Sequence, residues 1–352
     1  MPDEQGQGTN QLHFTRTNGP VDDAIDRLIR LVPSVRHPDI VREMILASLK
    51  AGQEHYSRAE MRLMNLTLKE MRFTSKVFTP YRQVRKVTVF GSARTKPDEP
   101  MYGMAQAFGR SLAESGYMVI TGAGGGIMQA VNEGAGADMS FGVNIQLPFE
   151  QHPNPVLAGN PRLITYKYFF NRKVAFVKEA DAIALFPGGF GTLDEAMEIL
   201  TLVQNGKHYP LPLILIDEPG GTYWTRWIRF FREELLAQGY ISESDFSLFE
   251  RVDSVEDAVR KISRFYRRYH SLRYVDRQVV IRMTSELPGG APEQLAEEFG
   301  DMLTTAHGVA ASGPFEQESD EPELSGLPRL VLSFDHKSFG RLRQFIDALN
   351  EL

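Results

Sequence analysis

A chain of 352 residues, 42% of them hydrophobic and 24% charged, is long enough for two domains or for one large core with appendages. The formal net charge of −6 argues against general nucleic-acid affinity, and the absence of cysteine excludes disulfides, thiolate catalysis and cysteine metal sites. No apolar run is long enough to cross a bilayer and residues 1–20 hold no apolar signal segment, so a cytoplasmic protein without membrane or nucleic-acid partners is expected.

Residues 1–20, polar and rich in Gly, Asn and Gln, read as a flexible tail. Val21, Ile25, Leu28, Ile29 and Val32 then recur at helical spacing up to Pro33. A second helix is expected from about Pro38, with Val41, Met44, Ile45 and Leu49 on one face. A third carries Met61, Met64, Leu68 and Met71. Such stripes mark core or subunit contact, and residues 21–83 are expected to form a helical extension.

From Val84 to about Arg268, short apolar runs alternate with amphipathic ones. Lys86–Phe90, Tyr117–Thr121, Phe141–Leu147, Arg162–Thr165, Ala182–Phe186 and Leu211–Ile216 predict strands. Met101–Ser115, Ile127–Ala135, Tyr166–Glu179, Thr192–Asn205, Thr222–Gln238 and Val255–Arg268 predict helices. This alternation implies an α/β fold, a doubly wound parallel sheet of Rossmann-like type over residues 84–268. Ligands of such sheets sit beyond the carboxyl ends of the strands. Gly91-Ser92, Gly122 and Pro187-Gly188-Gly189 each follow a strand, so three loops are expected to converge there.

Beyond residue 268, Gln278–Met283 and Arg329–Phe334 predict strands, and Pro292–Leu303 and Phe339–Leu349 predict helices. Residues 269–352 are expected to form a small α+β appendage. Within it His307–Gly326, rich in Gly, Ser, Pro, Glu and Asp, reads as a disordered, solvated loop. Arg264, Arg267, Arg268, His270 and Arg273, interleaved with Phe265, Tyr266 and Tyr269, form a basic patch. It reads as a subunit contact or a solvated helix end rather than a nucleic-acid surface.

The most specific stretch is Ala182–Glu195. An apolar strand runs into a bend with Gly188, Gly189 and Gly191, then into a helix that Thr192 is placed to cap. Backbone amides turned inward at such a bend, with the positive end of a helix, favour a phosphate. Glu195 lies three residues after Thr192; the residues alone leave open whether it faces a bound ligand or closes a capping box. Thr121–Met128 is a second glycine loop with Gly122, Gly124 and Gly125 entering a helix. It fails the dinucleotide fingerprint, since Ile127 stands where the third glycine is needed and Asp138 is too near for a ribose acid. That weakens an NAD-dependent reading. Arg172 and Lys173 interrupt an apolar helix face, either snorkelling to solvent or turned toward a site. His152, His208, His270 and His336 lack metal-ligand spacing, and no metal is expected.

At these residues the chain resembles the Lonely Guy (LOG) family of phosphoribohydrolases. The family pattern P-G-G-x-G-T-x-x-E is matched without a gap from Pro187 to Glu195, and its Arg-Lys pair by Arg172 and Lys173. The glycine-rich loop is approximated by Gly122–Met128. The resemblance covers residues 84–260. It implies hydrolysis of the N-glycosidic bond of nucleoside 5′-monophosphates to free base and ribose 5-phosphate, with no metal or organic cofactor. It assigns catalysis to Arg172 and Glu195. Substrate binding goes to Gly91, Ser92, Gly122, Gly124, Gly125, Met128, Lys173, Gly188, Gly189, Gly191 and Thr192. Relatives bear the label lysine decarboxylase, which no Schiff-base lysine here supports. Val143–Gln151 resembles the larger prokaryotic members, and Phe169-Phe170-Asn171 replaces the Met-x-Glu of the compact plant-type group, so a preference for cytokinin nucleotides is not expected. A homo-oligomer, a dimer through helices of the core and the N-terminal extension, is expected as well. The alternative class is a non-catalytic nucleotide or molybdenum-cofactor carrier of the same superfamily.

Overall fold

The computed structural model describes residues 16–146 and 152–352. The expected tail therefore lies outside the described residues up to residue 15, as do the end of the strand expected at Phe141–Leu147 and the whole stretch from Leu147 to Gln151. The chain divides into two units, residues 1–72 and 73–352. The dividing point falls inside a helix rather than at the expected boundary after residue 83.

In the first unit α1 (Pro20–Arg30) and α2 (Pro38–Gln53) each begin on a proline, which gives up an amide that has no helical partner at that position. Asp22, buried on α1, accepts from Asn18 and from Arg42 of α2, while Ile25 and Leu46 are buried. The stripes expected to mark core or subunit contact are largely not core: Leu28, Met44, Leu49, Met64 and Leu68 are all exposed. The third helix, α3 (Arg58–Phe78), runs past the dividing point.

The second unit is built on strand–helix alternation. In chain order it contains β1 (Lys86–Phe90), α4 (Pro100–Glu114), β2 (Met118–Thr121), α5 (Ile127–Ala135), β3 (Ser140–Ile145), β4 (Leu163–Tyr166), α6 (Phe169–Lys178) and β5 (Ala182–Leu185). There follow α7 (Phe190–Gln204), β6 (Leu213–Ile216), α8 (Tyr223–Phe230), β7 (Glu250–Val252) and α9 (Val255–Phe265). The seven strands form one parallel sheet in the order β4-β3-β2-β1-β5-β6-β7. Every residue of β1, β2, β3, β5 and β6 is buried, as a sheet with helices on both faces requires. The fold is the doubly wound α/β type. The order reverses between β1 and β5, and the crevice at that point opens beyond their carboxyl ends.

The remainder forms an antiparallel sheet, β10-β11-β9-β8, from β8 (Tyr269–Val275), β9 (Gln278–Met283), β10 (Val309–Ser312) and β11 (Arg329–Leu332). With α10 (Ala291–Glu298) and α11 (Phe339–Leu349) it shares a core that includes Leu295, Phe299, Phe334, Leu342, Phe345 and Ile346.

Several expectations need correction. Tyr166 ends β4 instead of opening the next helix, and α8 passes into π-helical turns at Phe231–Leu236. The short edge strand β7 and all of β8 were not expected. Residues 307–326 are not a solvated loop: Val309–Ser312 pair with β11, and Glu318 is buried between Arg282 and Arg329 at 2.7 and 3.3 Å. The basic patch is tied up internally, Arg273 with Asp320 and Glu321, and Arg264 with Glu351. Among the described residues no helix is long and apolar enough to cross a membrane.

Candidate active site

Three loops meet at the reversal point of the sheet, and their own backbones join them. The Ser92 amide, just past β1, donates to the Pro187 carbonyl past β5 at 3.1 Å, and the Ile127 amide donates to the Ser92 carbonyl at 3.0 Å. They border a cleft of about 720 Å³. Of the residues singled out from sequence, Gly91, Ser92, Gly122, Met128, Arg172, Gly188, Gly189, Gly191, Thr192 and Glu195 line it. Gly124, Gly125 and Lys173 do not. Gly124 offers its carbonyl to Asn154 Nδ2 at 3.1 Å, and Gly125 lies against the Ala93 carbonyl.

The glycine bend differs in detail from expectation. α7 begins at Phe190 with Gly189 as the flanking residue, and no side chain caps it. Thr192 is therefore the third helical residue, buried, its amide bonded to the Gly189 carbonyl at 3.1 Å. A capping box between Thr192 and Glu195 is thereby excluded, because Glu195 belongs to the second turn. Among the described residues no backbone carbonyl accepts from the amides of Gly189, Phe190 or Gly191. Those donors, at the positive end of a 15-residue helix, border the cleft. Gly188 is required sterically: a Cβ there would stand 2.1 Å from Thr192 Oγ1 and 3.0 Å from the Ser92 amide.

Arg172 reaches the cleft from α6. Its Nε donates to the Val143 carbonyl of β3 at 2.8 Å, and its guanidinium lies 4.9 Å from the Phe176 ring centre and 5.5 Å from that of Phe169. A side chain on Gly122 would collide with this group, its Cβ only 2.5 Å from Arg172 Nη2 and 2.8 Å from Met128 Sδ. Burial pushes the guanidinium's pKa below its ordinary value, and the charge of Glu195 acts in the opposite sense.

Glu195 is buried at the cleft wall, and its Oε2 makes no hydrogen bond among the described residues. The nearest cation is Lys173 Nζ at 3.3 Å, an ion-pair separation without hydrogen-bond alignment. Burial is the main cause that lifts its carboxyl pKa to about 7. Lys173 opposes the rise, while Glu198 and Asp194 add to it. A carboxyl group poised near neutrality and short of partners is suited to proton transfer.

Sequence reasoning missed the buried polar scaffold behind these loops. Asn132 Oδ1 accepts from Thr121 Oγ1 at 2.8 Å and from Asn154 Nδ2 at 3.0 Å. The Asn154 amide donates to the Ala123 carbonyl at 2.8 Å, fixing a residue with a φ of 59°. Tyr223 Oη donates to the Gly188 carbonyl at 2.7 Å and holds the bend from α8. Beside it Trp224 is fully buried, its indole N–H on the Ile216 carbonyl and its ring 4.7 Å from that of Tyr223. Arg94 at the cleft rim also escaped notice, although the run Gly-Ser-Ala-Arg after a buried strand was a signal for it. Among the described residues no group of three His, Asp or Glu is placed to hold a metal.

The family model described as "Possible lysine decarboxylase" matches residues 125–262, a span that begins at Gly125 within the second glycine loop and holds Arg172 and the bend to Glu195. The cytokinin riboside 5′-monophosphate phosphoribohydrolase of Mycobacterium marinum is 27% identical over 170 residues, covering 48% of this chain and 88% of that protein. Its namesake LOG from Oryza sativa subsp. japonica is 26% identical over 192 residues, covering 53% and 75%. Among solved structures the molybdenum cofactor carrier protein of Chlamydomonas reinhardtii is 18% identical with a TM-score of 0.35, covering 51% of this chain and 96% of that one. Through its α/β core the chain is similar to the LOG phosphoribohydrolases.

Proposed function

We propose that this protein hydrolyses the N-glycosidic bond of nucleoside 5′-monophosphates, releasing the free base and ribose 5-phosphate. One observation carries the reading: Arg172, Glu195 and the amides of Gly189, Phe190 and Gly191, which donate to no backbone carbonyl among the described residues, border the same cleft. In this reading the amides and the positive end of α7 receive the 5′-phosphate. Binding energy remote from the broken bond then orients the sugar. Ser92, Gly91, Gly122 and Met128 form the opposite wall. As the bond from C1′ to the base nitrogen breaks, its electron pair leaves with the base and positive charge develops on the ribose. The Glu195 carboxylate stabilises that charge and takes a proton from water, whose oxygen bonds to C1′. The departing base acquires the balancing proton, and Arg172 polarises it. Glu195 must be ionised to act in this way.

The curated relatives are named for cytokinin riboside monophosphates. The reading for this chain is broader, because Phe169-Phe170-Asn171 stands where the compact cytokinin group has Met-x-Glu. The enzyme is proposed to work in the cytoplasm as a homo-oligomer, which half-exposed Phe169, Phe170 and Val174 on α6 support. Incubation with AMP, GMP, CMP and UMP, followed by assay of ribose 5-phosphate, tests the reaction. Release from at least one is expected. A nucleotide that binds yet is returned intact would turn the assignment to a carrier.

A further inference from the structure

We propose that Lys173 is a positioning residue whose charge keeps Glu195 ionised, and that it does not bind the nucleotide. This rests on the reading of Glu195 given above and specifies how its site is tuned. Consecutive residues on a helix point about 100° apart, and α6 uses that divergence. Arg172 turns to β3 and the cleft, whereas Lys173 turns to α7 and is absent from the cleft wall. There its ammonium lies 2.8 Å from Asp194, 2.7 Å from Glu198 and 3.3 Å from Glu195. An ammonium has three donors, and three carboxylates already surround this one, so a phosphate would have to displace them.

The charged groups facing Glu195 are Lys173 and Arg172 from α6, and Asp194 and Glu198 from its own helix. Two of the four are carboxylates that favour its protonation. Arg172 is engaged by the Val143 carbonyl, leaving Lys173 as the cation in ion-pair range. Without it, a buried carboxyl beside two anions takes up a proton and ceases to serve as a base.

The test compares wild type, K173M and K173R in AMP hydrolysis from pH 5 to 9.5. In K173M the acid limb of kcat is expected to move alkaline by about one unit, about a fivefold loss at pH 7 that approaches tenfold below pH 6 and fades at pH 9. KM for AMP should stay within about threefold, and K173R should restore the limb. A rise in KM with an unmoved limb identifies a nucleotide ligand and overturns the proposal, as does an unchanged profile. A second arm needs no turnover: thermal unfolding of wild type, K173M, E195Q and K173M/E195Q at pH 5 and pH 8.5. The K173M loss should be larger at pH 8.5, and E195Q should remove the excess. That pattern in a protein that hydrolyses no nucleotide would sink the proposed reaction while leaving the Lys173–Glu195 coupling intact. Equal losses at both pH values would sink the coupling whatever the activity.

Discussion

A single carboxyl group, Glu195, connects the burial of the second turn of α7 to the proposed chemistry. Replacing it with glutamine preserves its size and removes the ionisable group. Turnover of the preferred nucleoside monophosphate should fall by about 100-fold or more in E195Q, the lower end of what general acid–base groups contribute. Nucleotide affinity, measured by calorimetry, should persist, since the glycine bend is untouched. The same residue predicts a stability effect. Its folded pKa of about 7 lies above the ordinary 4.5, so the folded state binds the proton more tightly than the unfolded one. The resulting penalty is absent below pH 4.5, grows between 4.5 and 7, and is complete above 7, where it approaches about 3 kcal/mol. E195Q should therefore unfold at a higher temperature than wild type at pH 8, and the advantage should vanish near pH 4. An advantage that persists at pH 4 would assign the gain to something other than ionisation.

Within the glycine bend two positions three residues apart separate steric need from helix propensity. Alanine at Gly188 brings a methyl carbon onto Thr192 Oγ1, which is buried and unable to withdraw. G188A should lose about 1–3 kcal/mol to overpacking and bind nucleotide more weakly. At Gly191 nothing lies within 4 Å of an added Cβ, and the residue is helical. G191A should gain about 0.5–1 kcal/mol from helix propensity, and urea unfolding of the pair reads both signs.

The elements of the core were legible because a parallel sheet covered on both faces demands continuous apolar runs, as in Val87–Phe90 and Ala182–Leu185. What escaped was set by long-range contact. β8 mixes buried Tyr269 and Leu272 with half-exposed His270 and Arg273, and so imitates a basic helix end. The start of α7 moved two residues upstream because Gly189 flanks it without any side-chain cap. The motif from Pro187 to Glu195 was readable as a pattern. That Lys173 abandons the cleft for three carboxylates on another helix was not, since no local spacing encodes it.

For the chain as a whole, stability draws on charge as well as on apolar cores. Glu318 stands between Arg282 and Arg329, and both guanidiniums are buried with it. Burial alone would raise its pKa, but the Phe315 amide and the two arginines hold it below the ordinary carboxylate range. The stabilisation is thus complete at neutral pH and is lost as pH falls through that lowered value. E318A should cost about 2–4 kcal/mol in urea unfolding at pH 7, because it removes the carboxylate between two buried cations, of which Arg282 keeps Glu321 and Arg329 keeps backbone carbonyls. A loss below 1 kcal/mol would show that water or a neighbouring carboxylate replaces it.

The chain has two tryptophans, Trp224 and Trp227, and their rings lie 5.3 Å apart. The first touches the tyrosine whose hydroxyl grips the Gly188 carbonyl. All the indole emission of the molecule therefore originates within two side chains of the tyrosine that holds the proposed phosphate cradle. An unlabelled sample should consequently report occupancy optically: adding AMP to E195Q should change its fluorescence, and Y223F should blunt the response.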